Sequence, residues 1–71
     1  MSHFTEADLK KIYDANDDDG NGIFDLAETK KAYAQLGEHA KKVDNFEAEF
    51  NKHAKDGHIT FNEFKHFAVL H

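Results

Sequence analysis

The chain has 71 residues, with no cysteine and a formal net charge of −5 from 14 acidic and nine basic residues. This length predicts one small domain over 1–71 whose core needs additional stabilisation. Since disulfides are excluded, a bound metal is the remaining candidate for that stabilisation. The acidic balance argues against nucleic acid as a partner, and no apolar run approaches the about 20 residues of a membrane span. No secretory signal is visible at the N-terminus, so we expect a cytoplasmic protein with no membrane span.

The first predicted element is a helix from Thr5 to about Ala15. Thr5 belongs to the residue types that cap helix N-termini, and the acidic residues after it suit the positive end of the helix dipole. Leu9, Ile12 and Tyr13 recur at three- and four-residue spacing, which indicates one buried face. We therefore expect this helix to lead into the loop that follows.

Residues 17–28 carry a high density of oxygen side chains and match the pattern D-x-[DN]-x-[DN]-G-x5-E. This pattern is the signature of a calcium-binding loop. Alternating acceptors can converge on one centre, Gly22 permits the sharp turn around the ion, and Glu28 is long enough to bind with both oxygens. An acidic, solvated surface turn is the alternative, but it leaves the positions of Gly22 and Glu28 unexplained. We predict Ca²⁺ as the cofactor, held by Asp17, Asp19, Asn21, the backbone carbonyl of Ile23, Asp25 and Glu28.

Three more helices are predicted after the first. A helix over 26–36 contains good helix formers and stops at Gly37, and a short connector over 37–41 follows. A third helix over 42–50 and a fourth over 61–70 show apolar residues at helical spacing. The buried faces of these two helices are predicted to consist of Val43, Phe46 and Phe50, and of Phe61, Phe64, Phe67 and Ala68.

The segment before Glu63 repeats part of the first loop, since Glu63 stands 35 residues after Glu28. The repeat is incomplete, because counting twelve residues back places Lys52 and Ala54 at the first and third ligand positions. A lysine ammonium cannot bind calcium, and an alanine side chain has no oxygen. We therefore expect a degenerate, metal-free second loop that pairs with the first and completes the core. A weak calcium site that uses Asp56 and Glu63 is the alternative.

The helix register adds a second expectation for this loop. In the first half, apolar residues of the helix stand eight and five places before the first predicted ligand. Val43 and Phe46 stand at the same distances before Asn51, and not before Lys52. We therefore predict a thirteen-residue second loop that opens at Asn51 and contains one inserted residue.

The calcium-loop pattern and its partial repeat resemble the EF-hand calcium-binding family, and the likeness covers nearly the whole chain. In size the chain is similar to one lobe of a calmodulin-like or troponin-C-like protein. The resemblance implies an all-α fold of two helix–loop–helix hands, over about 5–36 and about 42–70, that pair face to face. It also implies a short antiparallel β-bridge between the loops, formed by Phe24 and, by correspondence, Ile59.

These features predict a calcium sensor that regulates a partner protein by exposing an apolar groove for a helical peptide or protein target. A calcium buffer or a calcium-stabilised structural or interaction module is the alternative. Met1 is the only methionine, whereas adaptable sensor grooves often use methionine. We predict no enzyme, because oxygen donors committed to a cation leave no general base. A dimer or a second lobe stays open.

Overall fold

The computed structural model describes residues 3–70 and arranges them as two helix–loop–helix halves joined by a connector. The first half holds α1 (Glu6–Asn16), strand β1 (Ile23–Phe24) and α2 (Leu26–Gln35), and a 3₁₀ turn (Gly37–His39) follows it. The second half holds α3 (Phe46–His53), strand β2 (Ile59–Thr60), α4 (Phe61–Phe64) and a 3₁₀ turn (Lys65–Phe67). Over residues 3–70, no helix is long and apolar enough to cross a membrane. The predicted 1–71 domain also includes Met1, Ser2 and His71, which lie outside the described residues.

Helix α1 begins where the sequence predicts it, because Thr5 and Asp8 cap its N-terminus reciprocally. The Asp8 amide donates to Thr5 Oγ1 at 3.3 Å, and the Thr5 amide donates to Asp8 Oδ2 at 3.0 Å. Two amides that a helix would leave unpaired are thereby satisfied. Leu9 and Tyr13 are buried on the inner face. The helix ends at Asn16, one residue later than predicted.

Helix α2 starts with a second reciprocal cap and ends next to its predicted stop. Asp25 is the N-cap residue, and its side chain accepts from the Glu28 amide while the Glu28 carboxylate accepts from the Asp25 amide. The helix ends at Gln35, with Leu36 as its C-cap residue. A 3₁₀ turn that begins at Gly37 occupies the predicted connector.

A two-stranded antiparallel sheet joins the two loops. Ile23 stands opposite Thr60 and Phe24 stands opposite Ile59, so the predicted pairing of Phe24 with Ile59 is confirmed. Phe24 and Ile59 are both fully buried, because each side chain extends from the short sheet into the core. The sheet therefore fixes the two loops side by side. The fold is thus mostly helical with one two-stranded antiparallel sheet, which is consistent with the predicted pair of helix–loop–helix halves joined by a β-bridge.

The third helix is shifted relative to its prediction over 42–50, and it covers Phe46–His53 instead. Its start is set by Asn45, whose Oδ1 accepts from the Ala48 amide at 3.0 Å. Its end is extended because the Ala54 amide donates to the Phe50 carbonyl at 2.8 Å. Asn51 therefore lies inside the helix, and the prediction of a thirteen-residue loop that opens at Asn51 is wrong.

The fourth helix is shorter than the predicted span of 61–70. Its α-helical part ends at Phe64, and a 3₁₀ turn and extended backbone follow. The chain leaves the helix because its last residues pair with the connector. The Lys41 amide donates to the Phe67 carbonyl at 2.9 Å, and the Val69 amide donates to the His39 carbonyl at 2.8 Å. Backbone groups used in this way are not free to continue a helix.

Aromatic side chains form much of the core. Tyr13 stacks on Phe24 with ring centroids 3.9 Å apart, and Phe64 approaches these two rings to 5.6 and 5.4 Å. In the second half, the Phe46 and Phe67 ring centroids lie 5.1 Å apart. Offset and tilted contacts of this kind are the arrangements that aromatic rings prefer. The core therefore lies between the helices and against the buried face of the short sheet.

A pair of amide side chains ties α1 to α2. Asn16 Nδ2 donates to Gln35 Oε1 at 3.0 Å, and Gln35 Nε2 donates to Asn16 Oδ1 at 3.0 Å. Asn16 is buried, at 2% exposure, so its polar atoms need these partners. The contact joins the last residue of α1 to the last residue of α2, and it therefore sets the spacing of the two helices that flank the first loop.

Candidate metal centre

The loop over 17–25 is closed by bonds from its own side chains to its backbone amides. Asp17 Oδ2 accepts from the Gly22 amide at 2.8 Å, and Asn21 Oδ1 accepts from the Ile23 amide at 3.1 Å. Gly22 has a φ of 81°, in the region that glycine occupies without strain. The chain therefore turns back on itself at the position where the sequence predicts a sharp turn.

Glu28 closes the other side of the loop with both of its oxygens. Oε1 accepts from the Asp25 amide at 3.0 Å, and Oε2 accepts from the Asp18 amide at 3.2 Å. The Asp25 side chain in turn accepts from the Glu28 amide at 2.8 Å. The carboxylate that the sequence assigns to bidentate ion binding is thus engaged with the two ends of the loop.

One oxygen of the loop is left without a partner. Among the described residues, Asp17 Oδ1 is the buried side-chain nitrogen or oxygen atom that makes no hydrogen bond. A buried acceptor without a donor costs about 1–3 kcal/mol, and more when it carries charge. A cation beside this atom would remove the cost. Asp17 is therefore the residue of the loop that most clearly fits a metal ligand.

Three of the other predicted ligands share a surface cavity of about 270 Å³. Asp19, Asp25 and Glu28 all line it. The complete lining consists of Asp18, Asp19, Asp25, Ala27, Glu28 and Lys31. The loop thus concentrates carboxylates around an open depression, and oxygen donors of this kind suit a hard dication.

The structure does not gather the predicted ligands into one coordination sphere. Within residues 3–70, no group of three or more His, Asp or Glu side chains is arranged so that it could hold a metal ion. Glu28 bonds to amides, and Asp17 lies outside the cavity lining. The donor set fits calcium by chemistry and by the unpartnered Asp17 oxygen, and the role of all six predicted ligands stays a prediction.

Sequence reasoning missed two residues of this site. The Asp18 amide anchors Glu28, and the Asp18 side chain lines the cavity together with Lys31. Lys31 stands three positions after Glu28 in α2, which places both side chains on one face of the helix. That spacing could have identified Lys31. The Asp18 contact joins residues ten positions apart and carries no local signal.

The second loop is a tight β-hairpin turn. The Lys55 amide donates to the His58 carbonyl at 2.8 Å, and the His58 amide donates to the Lys55 carbonyl at 3.0 Å. Asp56 and Gly57, the two central residues, have φ values of 53° and 78°. Asp-Gly is a preferred pair for two-residue hairpin turns with positive φ at both central positions. Asp56 thus occupies an exposed turn position.

Glu63 caps the last helix. Its Oε1 accepts from the Thr60 amide at 2.7 Å and also from the Thr60 hydroxyl. These bonds hold the pKa of the Glu63 carboxyl below its ordinary value of 4.5. The two residues proposed for a weak second site therefore serve a turn and a cap, and calcium binding by Asp56 and Glu63 stays a prediction.

Tyr13 links the two loops through its hydroxyl. The hydroxyl lies 2.7 Å from the Gly22 carbonyl oxygen and 3.3 Å from the Ile59 carbonyl oxygen. Burial, together with the nearby carboxylates of the loops, raises the pKa of the Tyr13 hydroxyl well above its ordinary value. The hydroxyl thus remains a proton donor over the whole physiological range of pH.

Comparison of the chain with known proteins found no match. No family model, no curated protein and no solved structure matches it.

Proposed function

We propose that the chain binds one Ca²⁺ in the loop over 17–28, as an EF-hand-like site, and acts as a calcium sensor for a partner protein. The observation that supports this most directly is the buried, unpartnered Asp17 Oδ1 in a loop dense with carboxylates. Hydrogen bonds from the Gly22 and Ile23 backbone amides to Asp17 Oδ2 and Asn21 Oδ1 hold the turn of this loop closed.

The residues that would hold the ion are the six predicted ligands of the first loop. The ion would supply two positive charges, which offset the repulsion among four carboxylates. Like charges about 4 Å apart repel by about 4 kcal/mol at an effective dielectric constant of about 20. Glu28 would exchange its bonds to the Asp18 and Asp25 amides for the ion. Because these bonds connect the loop to the first turn of α2, we propose that this exchange moves α2.

The proposed target is an amphipathic helical segment of a peptide or protein, which would present its apolar face to the groove opened by the movement of α2. Sensors of this class respond at about 10⁻⁷–10⁻⁵ M calcium, a range that belongs to the cytoplasm. A cytoplasmic location is therefore part of the proposal. We propose that movement of α2 would uncover part of the apolar core, which includes Phe24 and Phe64.

A calcium-stabilised module is the second candidate, and two observations favour it. The reciprocal Asn16–Gln35 bonds resist separation of α1 from α2. Across residues 3–70, Val69 is the large apolar side chain that is exposed, at 41%. An ion that stabilises this closed form without opening it would add about 2.7 kcal/mol at a hundredfold excess over the dissociation constant.

Calorimetric titration with Ca²⁺ tests the shared part of both candidates, and we expect one ion per chain. Asp17→Asn, which removes the charge beside the unpartnered oxygen, should abolish or strongly weaken this binding. Asp44→Asn is the matched control, because Asp44 is exposed and lies outside the loop. A wild-type chain that takes up no calcium would refute the proposal.

Binding of a hydrophobic dye, measured with calcium and with chelator, separates the two candidates. A calcium-dependent rise in dye fluorescence supports the sensor, because it reports newly exposed apolar surface. An unchanged signal with calcium bound supports the calcium-stabilised module. The variant Asn16→Ala should raise the calcium-dependent signal if the amide pair restrains opening.

A further inference from the structure

Tyr13 differs from the other aromatic residues of the core because its polar end reaches backbone groups of both loops. Its ring stacks on Phe24 of β1 and meets Phe61 edge to face, with centroids 5.4 Å apart. Tyr13 is 1% exposed, so no bulk water competes for the hydroxyl. These contacts hold the ring in place, and the position of the hydroxyl is therefore set by packing and not by the hydrogen bond alone.

The hydroxyl has one proton and two carbonyl acceptors. The Gly22 carbonyl, at 2.7 Å, is the closer acceptor and takes the stronger bond. The Ile59 carbonyl, at 3.3 Å, is the second acceptor. Gly22 stands in the first loop immediately before Ile23, whose carbonyl is a predicted ligand, and Ile59 stands in β2 of the second half. One side chain of α1 thus touches the turn of the first loop and the strand β2 at the end of the second loop.

We propose that Tyr13 is a positioning residue for the calcium loop, whose hydroxyl holds the Gly22 carbonyl and couples the first loop to β2. This inference rests on the proposed calcium site. The bond keeps the Gly22–Ile23 peptide in the orientation that the turn requires. Without it the loop samples other orientations, and apparent affinity falls in proportion to the population of the competent one.

The chain offers a matched control in its second tyrosine. Tyr33 is the other of the two tyrosines, and its hydroxyl donates to the Lys41 carbonyl in the connector. Both Tyr13→Phe and Tyr33→Phe remove one hydroxyl and keep the ring. Only the first removes a contact with the calcium loop, so a general effect of losing a hydrogen-bonded tyrosine hydroxyl appears in both variants.

The test is calorimetric titration of the full chain with Ca²⁺, for the wild type and both variants, under conditions in which circular dichroism shows each one folded. We expect Tyr13→Phe to bind calcium about fivefold more weakly, the factor that corresponds to one net hydrogen bond. We expect Tyr33→Phe to stay within about twofold of the wild type. Equal affinities, or equal losses in both variants, would overturn the positioning role.

A spectroscopic measurement keeps the test decisive if Tyr13→Phe does not fold in chelator. The chain has no tryptophan, so in Tyr33→Phe all the tyrosine emission comes from Tyr13. Calcium should change this emission, because the ion alters the carbonyl environment of the hydroxyl. Emission that is unchanged at calcium saturation would overturn the inference.

The outcome also distinguishes this inference from the function on which it rests. If the wild type binds calcium and Tyr13→Phe binds it equally well, only the positioning role fails. If the wild type binds no calcium, the calcium site and the positioning role fail together. A merely structural hydroxyl would lower stability in chelator and leave both the dissociation constant and the calcium-dependent emission unchanged.

Discussion

The turns of the two loops are held by different kinds of hydrogen bonds. Nine residues, 17–25, separate α1 from α2, and their turn is held by bonds from carboxylates and an amide side chain to backbone amides. Seven residues, 54–60, separate α3 from α4, and their turn is held by two bonds between backbone groups. The hairpin turn of the second loop therefore closes without charged side chains, although Glu63 caps the last residue of that loop, Thr60. The first loop gathers negative charge and leaves Asp17 Oδ1 unpartnered.

The difference arises in the first half of each loop. Both loops contain a strand of the shared sheet, and in both halves a glutamate lies in the first turn of the helix that follows. The first loop begins with Asp17 and Asp19, but the corresponding stretch of the second half is helical to His53. The sheet and the glutamate cap are thus common to both halves, although the second half has helix and a hairpin turn where the first has Asp17 and Asp19.

The largest expected effect is a loss of calcium affinity when the glutamate after the first loop is changed, compared with the same change after the second loop. Glu28→Gln removes one carboxylate from the predicted site and should lower calcium affinity at least tenfold, or about 1.4 kcal/mol. Glu63→Gln is the matched change in the second half and should leave affinity within about twofold. Calorimetric titration measures both. Equal affinity in Glu28→Gln and the wild type would mean that the ligand set is wrong.

The turn glycines sharpen the comparison. Gly22 and Gly57 both have positive φ, of 81° and 78°, and a Cβ atom at either position would meet nothing within 4 Å. Alanine at either site should therefore lower the free energy of unfolding by about 1 kcal/mol through backbone strain alone. We expect the Gly57→Ala loss to be the same with calcium and with chelator. The Gly22→Ala loss should grow in calcium, because ion binding also weakens. Urea unfolding measures all four values, and a Gly57→Ala loss that depends on calcium would mean that the hairpin turn itself contributes to ion binding.

Acid should weaken the cap of the second half. The folded-state pKa of Glu63 lies below its ordinary value of 4.5, so its contribution to stability is present above about pH 4.5 and is lost as the pH falls through the folded pKa. In chelator, Glu63→Gln should therefore lose less stability than the wild type between pH 5 and pH 3. Glu47→Gln, at an exposed position of α3, is the control and should follow the wild-type curve. Identical curves for all three proteins would argue against the Thr60–Glu63 cap.

The smallest expected effect concerns Lys52. This residue lies exposed in α3, before the hairpin turn, and Lys52→Asn should change calcium affinity by less than about twofold. A change of fivefold or more would indicate strong coupling between the two halves and would mean that the second loop influences calcium binding at the first. Calorimetric titration against the wild type is the measurement.

The residue types next to each helix end and turn predict most element boundaries of the first half and fewer of those of the second half. Thr5 marks the start of α1, and the acidic pattern over 17–28 marks the loop, because caps and turns depend on neighbouring residues. The apolar spacing of Val43 and Phe46 predicts an earlier start for the third helix, but the Asn45 side chain caps it and so fixes its start at Phe46. The Asp56-Gly57 pair is a local hairpin signal, which the apolar spacing of the preceding helix does not reveal.

Other features depend on contacts that no local pattern encodes. The fourth helix stops early because its end pairs with the connector around Ala40 and Ala68. At the candidate site, Glu28 reaches the Asp18 amide across ten residues, and Tyr13 reaches Ile59 across 46. Residue types therefore predict the donor set, whereas the present bonds of each donor follow from tertiary structure.

The hairpin around Asp56 and Gly57 has a consequence for the order of folding. Its two closing bonds join residues only three apart, and hairpins of this kind close in about 1–10 μs. We expect the transition state to contain this turn and to lack the ion-binding loop, because bringing its carboxylates together is unfavourable until an ion offsets their charge. Calcium should then slow unfolding far more than it accelerates refolding, a difference that stopped-flow measurements on the two limbs would reveal.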